Sequence, residues 1–362
     1  MGKERCYNLR YDKVFAELPI IVKAWYNRSL WLDDPNPPEA MFFPSGIEEG
    51  SLLHFHYLYF AAFVSGSGKT ANQVIKAAGQ IARDYPEYID PKSVLFHNTP
   101  HAIETIRKAV PFTGEDTALG WFFNLRQIRE RYDGNLANLL YDIDPGWTKE
   151  SIFQERQRLI SRLDDLWGFG HKKAQLAILW FQIVNWSGNK RLTKIRRIPV
   201  IPIDVHAMRL VRQLDWVDDF YSDDWDKVAE PLSEDLCGIM YDLGYNYRKS
   251  HDVAQCAWHI QARVCNCFRR CKSAVAARKR CVERCPMLQS CIGLVPTLGR
   301  ELRHRRTLNW INRTYHPPTD VQIKLPIDVA ASPKKIKEKI NTTKRPQDTG
   351  QQAMPLDPPA RE

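Results

Sequence analysis

From Leu52 to Tyr245, apolar residues recur three or four positions apart in one segment after another. That spacing gathers them on one face of an α-helix, whereas a half-buried strand needs strict alternation. The series begins with LLHFHYLYFAAFV, breaks at a Ser-Gly-Ser-Gly turn, and resumes with ANQVIKAAGQIARDYP. HAIETIRKAV, TALGWFFNLRQIRERYDG, FQERQRLISRLDDL, LWGFGHKKAQLAILWFQIVNW, DVHAMRLVRQL and SEDLCGIMYDLGY continue it. No run of alternating strand pattern interrupts the series, so the fold class is read as all-α. Trp121, Phe122, Trp180 and Trp186 fall at helical spacing inside apolar runs and are expected in the core.

The flanks read differently. Residues 1–50 mix aromatics, charges and the proline-rich stretch DDPNPPEAMFFPSG, which suggests an irregular arm packing on the body. Residues 296–362 form a C-terminal extension. From about 318 it is rich in Lys, Pro, Gln and Thr, is expected to be disordered, and its lysines suit nonspecific contact with nucleic acid.

Charge narrows the partner. Lys and Arg number 52 against 42 Asp and Glu, a formal charge of +10, which favours a polyanion. Nucleic acid leads over an anionic membrane surface. The start, MGKERCYNLRYDK, lacks the apolar core of a signal peptide, and no apolar stretch approaches a membrane span. The expectation is a soluble intracellular monomer, in cytoplasm or nucleoid for a bacterium or archaeon and in the nucleus for a eukaryote. Of 9 cysteines, those at 256, 265, 267, 271, 281, 285 and 291 crowd together, which points to metal ligation rather than disulfides.

The segment Leu166-Trp167-Gly168-Phe169-Gly170-His171-Lys172-Lys173-Ala174 joins two helical patterns through glycines two apart. Glycine permits positive φ and lets a phosphate approach the backbone. The first-turn N–H groups of the second helix then form an anion site at its dipole-positive end. Further on comes Ile201-Pro202-Ile203-Asp204-Val205-His206, with Asp204 placed as the N-cap of an apolar helix.

These two motifs, in this order, resemble the helix-hairpin-helix DNA glycosylases of the endonuclease III and 8-oxoguanine glycosylase superfamily, and most nearly the endonuclease III-like iron-sulfur members. The family hairpin reads L-P-G-V-G-x-K. Leu166, Gly168, Gly170 and Lys172 match it, while Trp167 replaces the proline and Phe169 the valine. The family's catalytic aspartate lies in V-D-x-H, matched by Ile203-Asp204-Val205-His206. VSGSGKTANQVIKAAGQIARDYP resembles the helix after the family's base-wedge loop, and GEDTALGWFFNLRQIRERYDGNLANL the segment leading to the hairpin; residues from about 50 to 290 are covered.

The resemblance implies a two-domain fold with a helical-barrel domain and an iron-sulfur cluster domain. Residues 51–200 would carry the hairpin, and 201–295 the catalytic aspartate and the cluster loop. It implies a base-excision repair enzyme that removes a damaged, mismatched or modified base from double-stranded DNA, with the target base flipped out. Asp204 would steady the positive charge that develops on the sugar. A lysine at the position of Lys172 marks the bifunctional glycosylase and abasic-site lyases, in which a partly desolvated amine attacks C1′ to give a Schiff base. Gly168, Gly170, His171, Lys173 and, in the wedge loop, Lys69 are the expected DNA contacts. The wedge is commonly a glutamine in the family; Ser65-Gly66-Ser67-Gly68-Lys69-Thr70 has none, so the excised base stays open. A P-loop reading of the same segment fails, because Phe63 stands where that pattern needs glycine and the context is helical.

Cys281-Val-Glu-Arg-Cys285-Pro-Met-Leu-Gln-Ser-Cys291 resembles the family's C-x₂-C-x₅-C run with one extra residue. The implied ligands of a [4Fe-4S] cluster are Cys271, Cys281, Cys285 and Cys291, with Cys267 an alternative first ligand. Spacing alone leaves a Cys₄ zinc site open. Basic residues interleave with these cysteines and suit phosphate contact. The segment from Asn189 to Arg197, with five Lys or Arg in nine residues, reads either as a solvated loop or as a DNA-contacting insertion. A noncatalytic DNA-binding module that reuses the hairpin and cluster as architecture is the alternative function.

Overall fold

A computed structural model describes residues 5–26, 43–65, 71–93, 99–110, 114–184, 190–222, 224–245, 249 and 287. All belong to one unit, Met1–Pro317. This part of the chain is mostly helical: α1 (Tyr11–Tyr26), α2 (Leu52–Val64), α3 (Ala71–Asp84), α4 (Thr99–Ala109), α5 (Glu115–Tyr132), α6 (Lys149–Asp164), α7 (His171–Ile183), α8 (Lys190–Lys194), α9 (Val205–Gln213) and α10 (Trp225–Asp242). None of these helices is long and apolar enough to cross a membrane.

Their ends follow local chemistry. Ser51, Thr148, Asp204 and Asp224 each turn a side-chain oxygen onto an N–H of the following helix. Asp133, at φ 52°, ends α5 in the left-handed conformation.

The apolar residues sort into two cores. One runs in sequence from Phe55 to Val200 and centres on α2 and α7. Both of these helices are buried on nearly every side, so neither shows the one-sided pattern of a surface helix. Phe55 and Phe181 stack between them at 4.2 Å. Trp121, Phe122 and Trp180 lie in this core, whereas Trp186 falls outside the described residues. The other core starts at Ile201, takes in α9 and α10, and includes Tyr7, Val14, Leu18, Ile21 and Val22 from the N-terminal region and Met287 from within the cysteine run.

The N-terminal region therefore corrects the expectation of an irregular arm. Residues Tyr7–Leu9 form strand β1, which pairs antiparallel with β2 (Val217–Phe220), and α1 follows at once. Val14, Leu18, Ile21 and Val22 give α1 a buried stripe at helical spacing. Pro19 lacks the N–H that would reach the carbonyl of Phe15, but Phe15 is on the exposed side, where water can satisfy it. The all-α reading is likewise modified by this two-stranded ribbon. Trp216 Nε1 donates to Glu17 (2.7 Å) and Tyr7 Oη to Asp235 (2.6 Å), fastening the strand and helix to the second core. Residues from 318 onward, read as a disordered tail, lie outside the described residues.

Candidate active site

The chain turns between α6 and α7 through Leu166, Trp167, Gly168, Phe169 and Gly170. Gly168 adopts φ 70° and Gly170 φ 47°, backbone that side chains beyond glycine rarely tolerate. A Cβ on Gly170 would meet nothing within 4 Å, so the ground before α7 is open. The residue between them points inward: Phe169 is buried and stacks on Tyr59 at 4.6 Å. Asn124 of α5 holds the turn from the other side. Its Oδ1 accepts from the Trp167 N–H (2.7 Å), and its Nδ2 donates to the Trp167 carbonyl (2.9 Å). The indole of Trp167 packs against Gly120, where a Cβ would come within 1.8 Å of the ring. The hairpin is thus seated on a side chain and a bare backbone of α5. Asn124, a polar residue inside an apolar helical run, was the available sequence signal for this seat.

α7 begins at His171, so its first-turn N–H groups face the open ground before Gly170. Lys172 is exposed there. Asp204 lies further along the chain, at the N-cap of α9, and the Lys172 charge is among those that act on its carboxylate. Its Oδ1 accepts from the N–H groups of His206 and Ala207, each at 2.9 Å. Among the described residues Oδ2 takes no hydrogen bond, which leaves that oxygen open to accept one. Burial pushes the Asp204 carboxyl up, but His206, Lys172 and the two backbone donors outweigh it and hold the group below its ordinary value. Asp204 is an ionised carboxylate at neutral pH.

Lys173, expected as a phosphate contact, is turned inward instead. Its Nζ donates to the carbonyl of Phe63 (2.6 Å) and stands 5.1 Å from the centre of that ring. Residues 172 and 173 point about 100° apart on a helix, so one faces the opening and its neighbour faces α2. Burial, reinforced by the Lys172 charge, lowers the Lys173 amine from 10.5 to about 8. The desolvated lysine of the hairpin is thus Lys173, although Lys172 is the one whose charge acts on the Asp204 carboxylate. Linkage makes this testable. Between pH 8 and 10.5 the unfolded chain keeps a proton that the folded protein has released, so folding stability rises with pH across that window. Urea unfolding of the native chain should gain on the order of 2 kcal/mol over Lys173→Met between pH 7 and pH 10. Parallel pH profiles for the two proteins would refute the buried-amine account.

His171, also expected at a phosphate, is half-buried and near the carboxylates of Glu230, Asp164 and Asp226. Burial lowers its pKa, Arg156 adds to that, and the three carboxylates oppose it. The ring is held toward its neutral form. Of the Asn189–Arg197 segment, Asn189 and the side chains of Lys190 and Arg191 lie outside the described part, and the three cations that are described are engaged within the protein. Lys194 pairs with Asp144 (2.6 Å), Arg196 donates to the carbonyls of Gln182 (3.1 Å) and Val184 (2.7 Å) at the end of α7, and Arg197 lies over the Trp147 ring at 3.6 Å. Lys69 of the wedge loop, and Cys271, Cys281, Cys285 and Cys291 of the cluster motif, lie outside the described residues, as do Cys256, Cys265 and Cys267. Compared with known protein families and with curated proteins, the chain matches none.

Proposed function

We propose that this protein is a DNA glycosylase with abasic-site lyase activity, excising a damaged, mismatched or modified base from duplex DNA. The observation that carries the proposal is the placement of an exposed Lys172 in the first turn of α7 and of Asp204 at the N-cap of α9: the charge of the first acts on the carboxylate of the second, whose Oδ2 takes no hydrogen bond among the described residues. A phosphate-binding hairpin by itself requires neither group.

In this reading the N–H groups of the first turn of α7 take a backbone phosphate, and the target nucleotide swings out of the stack toward Lys172. The glycosidic bond lengthens and positive charge spreads over the sugar, which the Asp204 carboxylate stabilises. The Lys172 nitrogen forms a bond to C1′ as the base leaves with the bonding electrons, and the proton shed by that nitrogen passes to the base. Ring opening gives a Schiff base, and loss of a C2′ proton then expels the 3′ phosphate.

A [4Fe-4S] cluster held by Cys271, Cys281, Cys285 and Cys291 would fasten the end of the catalytic region, and no chemical step passes through it. Burial of Met287 in the second core is consistent with an anchored cysteine run. A purified protein that is brown, with broad visible absorption, would support the cluster; a colourless zinc protein would remove it.

The function is tested with a panel of duplexes carrying oxidised pyrimidines, oxidised guanine, mismatched thymine and methylated bases. Release of free base from at least one, followed by strand cleavage without added alkali, is the expected result. Tight duplex binding with no release from any of them would favour a noncatalytic DNA-binding protein.

A further inference from the structure

α7 is apolar along most of its length after its first turn, yet it carries two fully buried glutamines, Gln175 and Gln182, seven residues apart and so on one face. A buried amide is costly unless its donors and acceptors are used. Gln182 Nε2 donates to the carbonyls of Ile195 (2.7 Å) and Ile198 (2.6 Å). Gln175 Oε1 lies 2.7 Å from the hydroxyl of Ser233 on α10, and that hydroxyl is also 2.8 Å from the Ile201 carbonyl. Its single proton is shared between these two acceptors. Arg156 of α6, only 1% exposed, enters the same pocket: Nη2 donates to Ser233 Oγ (2.8 Å) and Nε to the Pro199 carbonyl (3.1 Å).

Four carbonyls of one short run, at 195, 198, 199 and 201, are therefore gripped by side chains. That run ends at Asp204. Pro199 and Pro202 have no N–H to offer, so carbonyls are the backbone handles there. Val200 belongs to the first core and Ile201 to the second, so the gripped run is also where the chain crosses between them. Gln175 lies one helical turn beyond Lys172. The grip is thus a direct mechanical link between the helix that presents the amine and the segment that presents the carboxylate.

Stability alone does not call for it. Among the described residues no carboxylate pairs with Arg156, and a buried guanidinium is expensive beside a well-packed apolar replacement. Apolar contact fixes separation but lets a helix slide or rotate, whereas hydrogen bonds to chosen carbonyls fix register. We propose that Gln175, Gln182, Ser233 and Arg156 are positioning residues that set where Lys172 stands relative to Asp204. The catalytic consequence rests on the glycosylase reading; the geometric one does not.

The test uses Gln175→Met and Gln182→Met, which keep length and helix preference, in the full chain. Asp204 is titrated by carbon NMR of carboxyl-labelled aspartate, its signal assigned with Asp204→Asn, and Lys172→Met sets the value with the amine's charge removed. Each glutamine variant should move the Asp204 titration up toward that of Lys172→Met. Single-turnover base release should fall about 10- to 100-fold, with duplex Kd within about threefold. A merely structural role would lower the melting temperature while leaving the titration and release rate of the folded variants unchanged, and that result overturns the proposal. Should a methionine variant fail to fold, Ser233→Ala, which leaves both glutamines in place, is read by the same two measurements. If the native chain releases no base from any duplex, the function has failed, and the titration alone still decides the positioning.

Discussion

Asp204→Asn is expected to cut base release about 10²- to 10³-fold while leaving the fold and duplex affinity nearly intact. The separation follows from the two roles of this side chain. As a cap it needs only an oxygen to accept from His206 and Ala207, and an asparagine oxygen does that about as well as an aspartate oxygen. In the proposed mechanism it needs negative charge beside the sugar, which the amide lacks. Duplex binding should hold or tighten slightly, because one negative charge would leave the surface that the proposal turns toward phosphates. The charge also shows in stability. Since folding lowers the Asp204 pKa, ionised Asp204 stabilises the fold above the ordinary carboxylate range, and that contribution fades as pH falls through the lowered value. The native chain and Asp204→Asn should therefore converge in stability at acid pH. Normal turnover by Asp204→Asn, measured by single-turnover release from the best duplex of the panel, would remove the carboxylate from the mechanism.

Lys172→Ala is expected to abolish the covalent intermediate and the strand cleavage that follows from it. The side chain is exposed and bonds to no described neighbour, so stability should change by no more than about 0.5 kcal/mol. A second substitution separates charge from nucleophilicity. Lys172→Arg keeps a cation near Asp204, but a guanidinium stays protonated and cannot attack C1′. It should preserve the depressed Asp204 titration and still form no Schiff base. Alanine should lose both. Were Lys172→Arg to retain strand cleavage, the amine would not be the nucleophile, whatever the role of its charge.

The helices that position this pair were legible in the chain because burial imposes a period. Asp204 was legible as a cap for the same kind of reason: its oxygen has to satisfy N–H groups two and three residues on. What stayed hidden depends on partners remote in sequence. β1 is three residues long and takes its shape from residues 217–220, so no local pattern announces it, and the aromatic and charged residues around α1 masked a buried stripe that was present. The lysine pair hid its division of labour, since two adjacent identical residues give no sign of which faces α2. The glutamines did leave a trace, two amides seven residues apart in an apolar helix. Their partners are backbone carbonyls, which carry no side-chain signature, so the grip on the run toward Asp204 emerges only with the fold.

The central claim is that Lys172 is the amine that becomes bonded to DNA, and borohydride trapping on an abasic duplex tests it directly. Reduction should freeze the Schiff base, and mass spectrometry of the proteolysed complex should place the sugar adduct on the peptide containing Lys172. Fragmentation should then separate it from Lys173, whose nitrogen is engaged with Phe63. The adduct on Lys172, with no trapping by Lys172→Ala, is the predicted outcome. An adduct on Lys173 or elsewhere, or trapping undiminished in Lys172→Ala, would contradict the assignment.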